Sequence, residues 1–239
     1  MCGRYALYGP VSRKDREPLT FAGASMDFPP RYNLSPMQHV PVVWREGQAT
    51  QLGLMRWGLL PAWAKDESMA ARLNNARAET VAEKPAFRAA WRRRRCLIPM
   101  NGFYEWQPRG GRKQPYYFRR PDMALFAVAG IHEQWQPPGQ AAPITTFAVM
   151  TTAANAVMSP VHDRMPVIIP VECYDEWLDP ANDTAAGLER LLRPCADDLL
   201  QADAVSLRVN NAREDDAGLI DALPPSAILP PEPQQGSLL

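Results

Sequence analysis

Proline occurs 25 times in these 239 residues, about twice the usual ~5% share, and that frequency restricts what the chain can build. Each proline fixes φ near −65° and removes a backbone donor, so it disrupts helix interiors and central sheet ladders. Short strands joined by rigid loops are expected, with few long helices. Alternating or β-branched apolar patterns mark strands at 40–44, 51–57, 95–99, 103–107, 115–119, 124–131, 144–151 and 165–169. Helical patterns are weaker, at 84–94, 171–178, 185–192 and 196–202. Strands and helices do not alternate regularly, which indicates an α+β fold with a largely antiparallel sheet.

The length suits one domain with a substantial core. The expected organisation is a domain over 1–222 and a flexible tail over 223–239, where prolines, glutamines and Gly236-Ser237 accumulate. No apolar run reaches the ~18 residues of a membrane span, and the arginine-containing start lacks a signal-peptide apolar stretch. A cytoplasmic or nucleoid location is expected. Cys2, Cys96, Cys173 and Cys195 form no C-x-x-C pair, which argues against a zinc knuckle and a disulfide framework and leaves free thiols as the expectation; no cofactor is expected.

The net charge of zero conceals a polarity. Residues 1–120 hold 21 Lys and Arg against 9 Asp and Glu, net +12, and the remainder holds 5 against 17, net −12. A basic half can meet a polyanion through its local potential. Equally, the two halves can neutralise each other across one core. The run Arg92-Arg93-Arg94-Arg95 reads as a solvated helix end.

The chain opens Met1-Cys2-Gly3-Arg4. Removal of Met1 would leave Cys2 with an α-amine and a thiol on adjacent carbons. With reference pKa values of ~7.7–8.0 and ~8.5, a useful fraction of the amine is uncharged at neutral pH. Such a group can condense with an aldehyde to an imine, which the thiol then closes to a thiazolidine. A small buried cysteine is the alternative.

Four further segments carry candidate chemistry. If Asn75-Ala76-Arg77-Ala78-Glu79 is extended, Asn75, Arg77 and Glu79 share a face, with Glu79 holding Arg77; an exposed helix start is the alternative. In Gly102-Phe103-Tyr104-Glu105-Trp106, aromatic neighbours should raise the Glu105 pKa and suit it to acid–base work, unless it faces solvent. His162, one of three histidines, lies in Ser159-Pro160-Val161-His162-Asp163-Arg164-Met165-Pro166, a shaped loop or a structural polar cluster. Arg31-Tyr32-Asn33-Leu34-Ser35-Pro36 and Trp57-Gly58-Leu59-Leu60-Pro61-Ala62-Trp63 offer platforms for unstacked bases. Trp57 is assigned to the core and Trp63 to the surface.

Taken in order, these motifs resemble the SOS-response-associated peptidase (SRAP) family from residue 1 to about 211, with Val209-Asn210 similar to its closing strand. The resemblance implies a curved, barrel-like sheet with flanking helices. It also implies a monomer that binds abasic sites in single-stranded DNA and crosslinks to them through Cys2 in the DNA damage response, with no metal and no membrane partner. On the same ground, Cys2, Asn75, Glu105 and His162 would be catalytic. Arg4, Arg77 and Arg164 would bind phosphates, and Pro36 and Trp63 would support bases. Abasic-site lyase activity and self-removal of Met1 are further expectations. Two rivals stand beside this reading: an N-terminal-nucleophile glutamine amidohydrolase, for which Asn101-Gly102 is the nearest oxyanion fragment, and a non-catalytic reader of modified DNA bases.

Overall fold

The computed structural model describes residues 2–9, 19–182 and 185–231. Its strands are β1 Tyr5–Leu7, β2 Leu19–Phe21, β3 Ala24–Met26, β4 Arg31–Leu34, β5 His39–Glu46, β6 Ala49–Trp57, β7 Asn75–Arg77, β8 Arg95–Met100, β9 Gly102–Arg109, β10 Arg112–Arg119, β11 Phe126–Trp135, β12 Ile144–Ala153, β13 Arg164–Pro166, β14 Ile168–Ile169 and β15 Gln201–Ala204. The α-helices are α1 Arg88–Arg93 and α2 Tyr174–Leu178. Helices are short, as the prolines require, yet β11 and β12 each run ten residues. Pro41, Pro99, Pro108, Pro115 and Pro166 lie inside strands, so the expectation of uniformly short strands is corrected. A proline without an N–H is tolerated wherever that position owes its neighbour no donor.

One sheet has the order β15-β10-β9-β1-β4, antiparallel throughout. The second closes on itself, because β12 pairs with β6, β6 with β5, β5 with β8, β8 with β11 and β11 with β12. Its parallel contacts are β12 with β6 and with β7. The α+β, largely antiparallel, barrel-like fold read from the sequence is therefore present. Cys2, Tyr5, Leu34, Trp57, Phe103, Phe118 and Phe147 share one buried cluster. Trp57 is fully buried and stacks on Phe147, whereas Trp63 is 58% exposed, as assigned.

Two glycine sites set the β9 geometry. Gly110 and Gly111, at φ +53 and +71, make the two-residue turn that joins β9 to β10 with Arg109 opposite Arg112. At Gly102 a Cβ would lie 2.4 Å from the Tyr117 ring and 2.5 Å from the Phe118 carbonyl oxygen, so only glycine allows β1, β9 and β10 to approach this closely.

Several local expectations change. Residues 196–202 were expected to be helical, but they make one 3-10 turn, Asp197–Leu199, and then enter β15. Pairing of Tyr116 with Ala204 and of Arg119 with Gln201 covers the β10 edge, and that tertiary gain overrides a weak helical pattern. Val209 and Asn210 belong to a 3-10 turn, Leu207–Asn210, so β15 and not this pair closes the sheet. Helix 84–94 shrinks to α1, and 185–192 to a 3-10 turn at Leu188–Leu191. Arg95, expected to be solvated, is 3% exposed and donates to the carbonyls of Trp91, Arg92, Trp177 and Asp179. It caps α1 and ties it to the end of α2.

The opposite charges of the two halves meet within the fold. Arg31 pairs with Asp215, Arg45 with Asp175, Arg94 with Glu133 and Arg119 with Asp203. Beyond β15, Leu223 donates to the Ala204 carbonyl at 2.8 Å and Leu229 to Gln114 Oε1 at 3.1 Å, so residues 223–231 of the expected tail lie against the first sheet. The rest of that tail, 232–239, and Met1 lie outside the described residues. Among the described residues no helix is long and apolar enough to cross a membrane.

Candidate active site

The chain from Cys2 to Arg4 continues β1 alongside β9, where Tyr104 N–H donates to the Arg4 carbonyl at 2.9 Å. This places Cys2, fully buried, within the electrostatic reach of Glu105. Burial pushes the thiol well above its ordinary range, and the Glu105 charge pushes it further. The Arg4 backbone N–H, directed at the sulfur, opposes both. With Met1 in place, burial thus disfavours the thiolate.

β7 brings the second element. Its parallel pairing with β12 sets Asn75 opposite Val149 and makes the segment extended, which decides between the two readings of this stretch. Ala76 points inward while Asn75 and Arg77 share the other face, Arg77 exposed. Asn75 Nδ2 donates to the Cys2 carbonyl at 2.9 Å. Asn75 Oδ1 is buried and has no hydrogen-bond partner among the described residues. Glu79 lies beyond the strand in a 3-10 turn, Ala78–Thr80. It grips Arg164 and not Arg77, accepting from both guanidinium nitrogens at 2.6 and 2.8 Å.

Glu105, 3% exposed, lines a cleft of about 350 Å³ with Trp106, Lys113, His162 and Asn210. The His162 loop is fastened to β9 where Gln107 Nε2 donates to the Pro160 carbonyl at 2.6 Å. At the ring, Nδ1 lies 2.9 Å from the Arg164 backbone N–H and 3.0 Å from Asp163 Oδ1. A backbone N–H requires a lone pair there, whereas the carboxylate requires a proton. The amide is fixed and Asp163 is 85% exposed, so the network puts a lone pair on Nδ1 and the proton on Nε2.

The remaining predicted residues lie apart from this cleft. Arg164, with a side chain 13% exposed, adds a bond from Nη2 to the Thr151 carbonyl at 2.7 Å. Arg4 Nη1 donates to Asn33 Oδ1 at 2.8 Å and to the Val209 carbonyl at 2.7 Å. Pro36 is half-buried before β5. The sequence reading did not select Trp106, Lys113 or Asn210 for the site. Trp106 carried a signal as the neighbour of Glu105. Lys113 and Asn210 carried none, because strand pairing and the packing of a distant 3-10 turn bring them there. Asn101, the oxyanion candidate of the amidohydrolase rival, is fully buried. Its Oδ1 accepts from the Tyr8 and Gly9 amides at 2.8 and 3.2 Å, and its Nδ2 donates to the Gly9 carbonyl at 2.8 Å. This side chain closes a loop.

The chain is similar to the abasic site processing protein YoaM of Bacillus subtilis, 39% identical over 93% of this chain and 98% of the relative. It is 30% identical to the abasic site processing protein HMCES of Xenopus tropicalis, over 80% of this chain and 65% of that protein. A crystal structure of a protein from Bacteroides thetaiotaomicron superposes with a TM-score of 0.74 at 26% identity, covering 81% of this chain and 85% of the other. The SOS response associated peptidase (SRAP) pattern matches residues 1–212, and the chain accordingly belongs to that family.

Proposed function

We propose that this protein processes abasic sites in single-stranded DNA by bonding covalently to them through Cys2. The observation that carries the reading is the meeting of Cys2 with Asn75 and Glu105 beside a cleft that also holds His162. The names of the relatives, abasic site processing proteins, support it. An abasic sugar is mostly a ring-closed hemiacetal. Glu105 accepts the C1′ hydroxyl proton while the Nε2–H of His162 donates toward the ring oxygen, opening the aldehyde.

The Cys2 α-amine, exposed by loss of Met1, attacks first, because only the amine can form the imine that the thiol then closes. The carbinolamine loses water, with a proton supplied by Glu105, and gives the imine. The S–H then adds across C=N, sulfur to C1′ and hydrogen to nitrogen. The balance is aldehyde plus aminothiol giving thiazolidine plus one water. Asn75 holds the Cys2 carbonyl throughout, and its buried Oδ1 suits the α-amine or a sugar hydroxyl as donor. An imine that loses a C2′ proton instead would cleave the strand by β-elimination, which is the lyase expectation. Arg77, exposed beside Asn75, contacts a flanking phosphate in this reading, Arg164 joins it once its ion pair with Glu79 opens, and Trp63 and Pro36 support splayed bases. Removal of Met1 by the protein itself would draw on Glu105 and His162.

The test incubates processed protein with a uracil-containing single strand from which the base has been excised, then reads a denaturing gel and the adduct mass. A heat-stable adduct 18 Da below the sum of the components is expected, from loss of one water on C–N and C–S bond formation. Cys2→Ala should give only an imine trapped by borohydride. A stable adduct in Cys2→Ala, or none in the wild type, would refute the reading in favour of non-covalent recognition.

A further inference from the structure

We propose that Arg4 is a positioning residue, which locks the Cys2 strand to the Asn210–Trp106 wall of the cleft through a latch of Asn33 and Asp215, and is not a ligand for DNA phosphate. The inference rests on the crosslinking reading above. Its backbone serves the nucleophile, with the N–H toward the Cys2 sulfur and the carbonyl bound by Tyr104 N–H at 2.9 Å. Its guanidinium serves the opposite wall, at 2.8 Å from Asn33 Oδ1 and 2.7 Å from the Val209 carbonyl oxygen. One residue thereby spans from the reacting thiol to a segment more than 200 positions away.

The latch is dense. Asn33 is fully buried, and its Nδ2 donates to the carbonyls of Val209, Asn211 and Glu214 at 3.2, 3.1 and 2.8 Å. Asp215 accepts from Arg31 Nε and from the backbone amides of Tyr32 and Asn33. Tyr104 Oη closes the other side by donating to the Tyr32 carbonyl at 2.7 Å. Asn210 sits between two residues whose carbonyls are thus held, and its Oδ1 takes the Trp106 indole N–H at 2.7 Å. Trp106 and Asn210 line the cleft beside Glu105 and His162. Arg4 is half-buried, and that burial lowers its guanidinium pKa. A displacement of about 1 Å in a reacting group can cost on the order of 10²-fold in rate, so a rivet at this point carries leverage on the reaction.

The test compares Arg4→Gln, Asn33→Ala and Asp215→Asn with Arg77→Ala in the processed full chain. Three readouts are taken: the salt dependence of binding to an unmodified single strand, the crosslinking rate at saturating abasic strand, and hydrogen exchange across 207–216. Arg4→Gln should leave the log–log salt slope unchanged, while Arg77→Ala flattens it by ~0.7, the value for one lost single-strand phosphate contact. Arg4→Gln should also slow the maximal rate by at least about tenfold with the half-saturating DNA concentration unchanged. Exchange in 207–216 should accelerate. Asn33→Ala and the near-isosteric Asp215→Asn should reproduce both effects, and the Arg4→Gln/Asn33→Ala pair should be no worse than either alone, as expected of one unit. A slope flattened by ~0.7 in Arg4→Gln with unchanged exchange, or additive rate losses, would overturn the latch. A wild type that forms no adduct overturns the parent reading instead, and with it any catalytic role for the latch.

Discussion

Asn75 gives the sharpest quantitative test of the site. Its Nδ2 donates to the Cys2 carbonyl at 2.9 Å, and Cys2 is fully buried, so truncation to alanine leaves that carbonyl without its amide donor. An unpaired buried group costs ~1–3 kcal/mol. If the whole loss falls on the transition state, where the amine must be aligned with C1′, crosslinking slows by about 5-fold to 150-fold. Asn75→Asp preserves shape but sets a carboxylate oxygen against the carbonyl oxygen, so it should lie at or beyond the upper end of that range. The assay saturates each protein with an abasic single strand, quenches at intervals and fits a first-order rate from a denaturing gel, with affinity for an unmodified strand measured separately. Rates within about threefold of wild type for both variants would refute the argument, since that is less than 1 kcal/mol. So would an affinity loss equal to the rate loss, which would make Asn75 a binding residue only.

Three further outcomes follow from burial and packing. Iodoacetamide at pH 8 should label Cys173, which is partly exposed, well before the fully buried Cys2 and Cys96 and before Cys195, whose thiol burial pushes up to about 12; rapid labelling of Cys2 on a mass map would contradict its placement. Burial first, and Arg94 second, lower the His132 pKa from 6.5 to about 4. The unfolded chain therefore binds the extra proton between those values, and stability is present above pH 6.5 and lost as pH falls toward 4. Urea melts should show up to about 2 kcal/mol of loss between pH 7 and pH 5 that His132→Gln removes, and an unchanged pH dependence in that variant would discard the assignment. Gly102→Ala forces a Cβ to within 2.5 Å of the Phe118 carbonyl oxygen, so thermal melts should show about 1–3 kcal/mol of destabilisation, and an unshifted melting temperature would refute the close approach.

Local rules in the chain announced most of the strands. Gly110-Gly111 was a local signal that the sequence reading left unused: consecutive residues at positive φ suit the two-residue β9–β10 turn. Apolar patterning marked β5, β6, β8 and β12 within a residue or two, and the proline content was reflected in α1 and α2, of six and five residues. The order of motifs from Cys2 to Pro166 was enough to indicate the family. Chemistry-bearing residue types were also legible: a cysteine behind a removable methionine, a carboxylate among aromatics, a histidine between prolines.

What tertiary structure alone decided is which partner each of those residues finds. Period two set Glu79 beside Arg77, but the chain turns after Arg77 and Glu79 meets Arg164 from 85 positions away. Arg4 reads in the sequence as a cation, and only the fold shows that its Nη1 donates to Asn33 and to the carbonyl of Val209. Arg95 closes a run of four arginines and still lies inside, because four carbonyls converge on it from α1 and the end of α2. Residue 196–202 patterning favoured helix until the open edge of β10 claimed β15. Local sequence sets backbone preferences worth tenths of a kcal/mol per residue, whereas the partner of a buried polar group is settled by desolvation costs of ~1–3 kcal/mol that exist only once distant segments have packed.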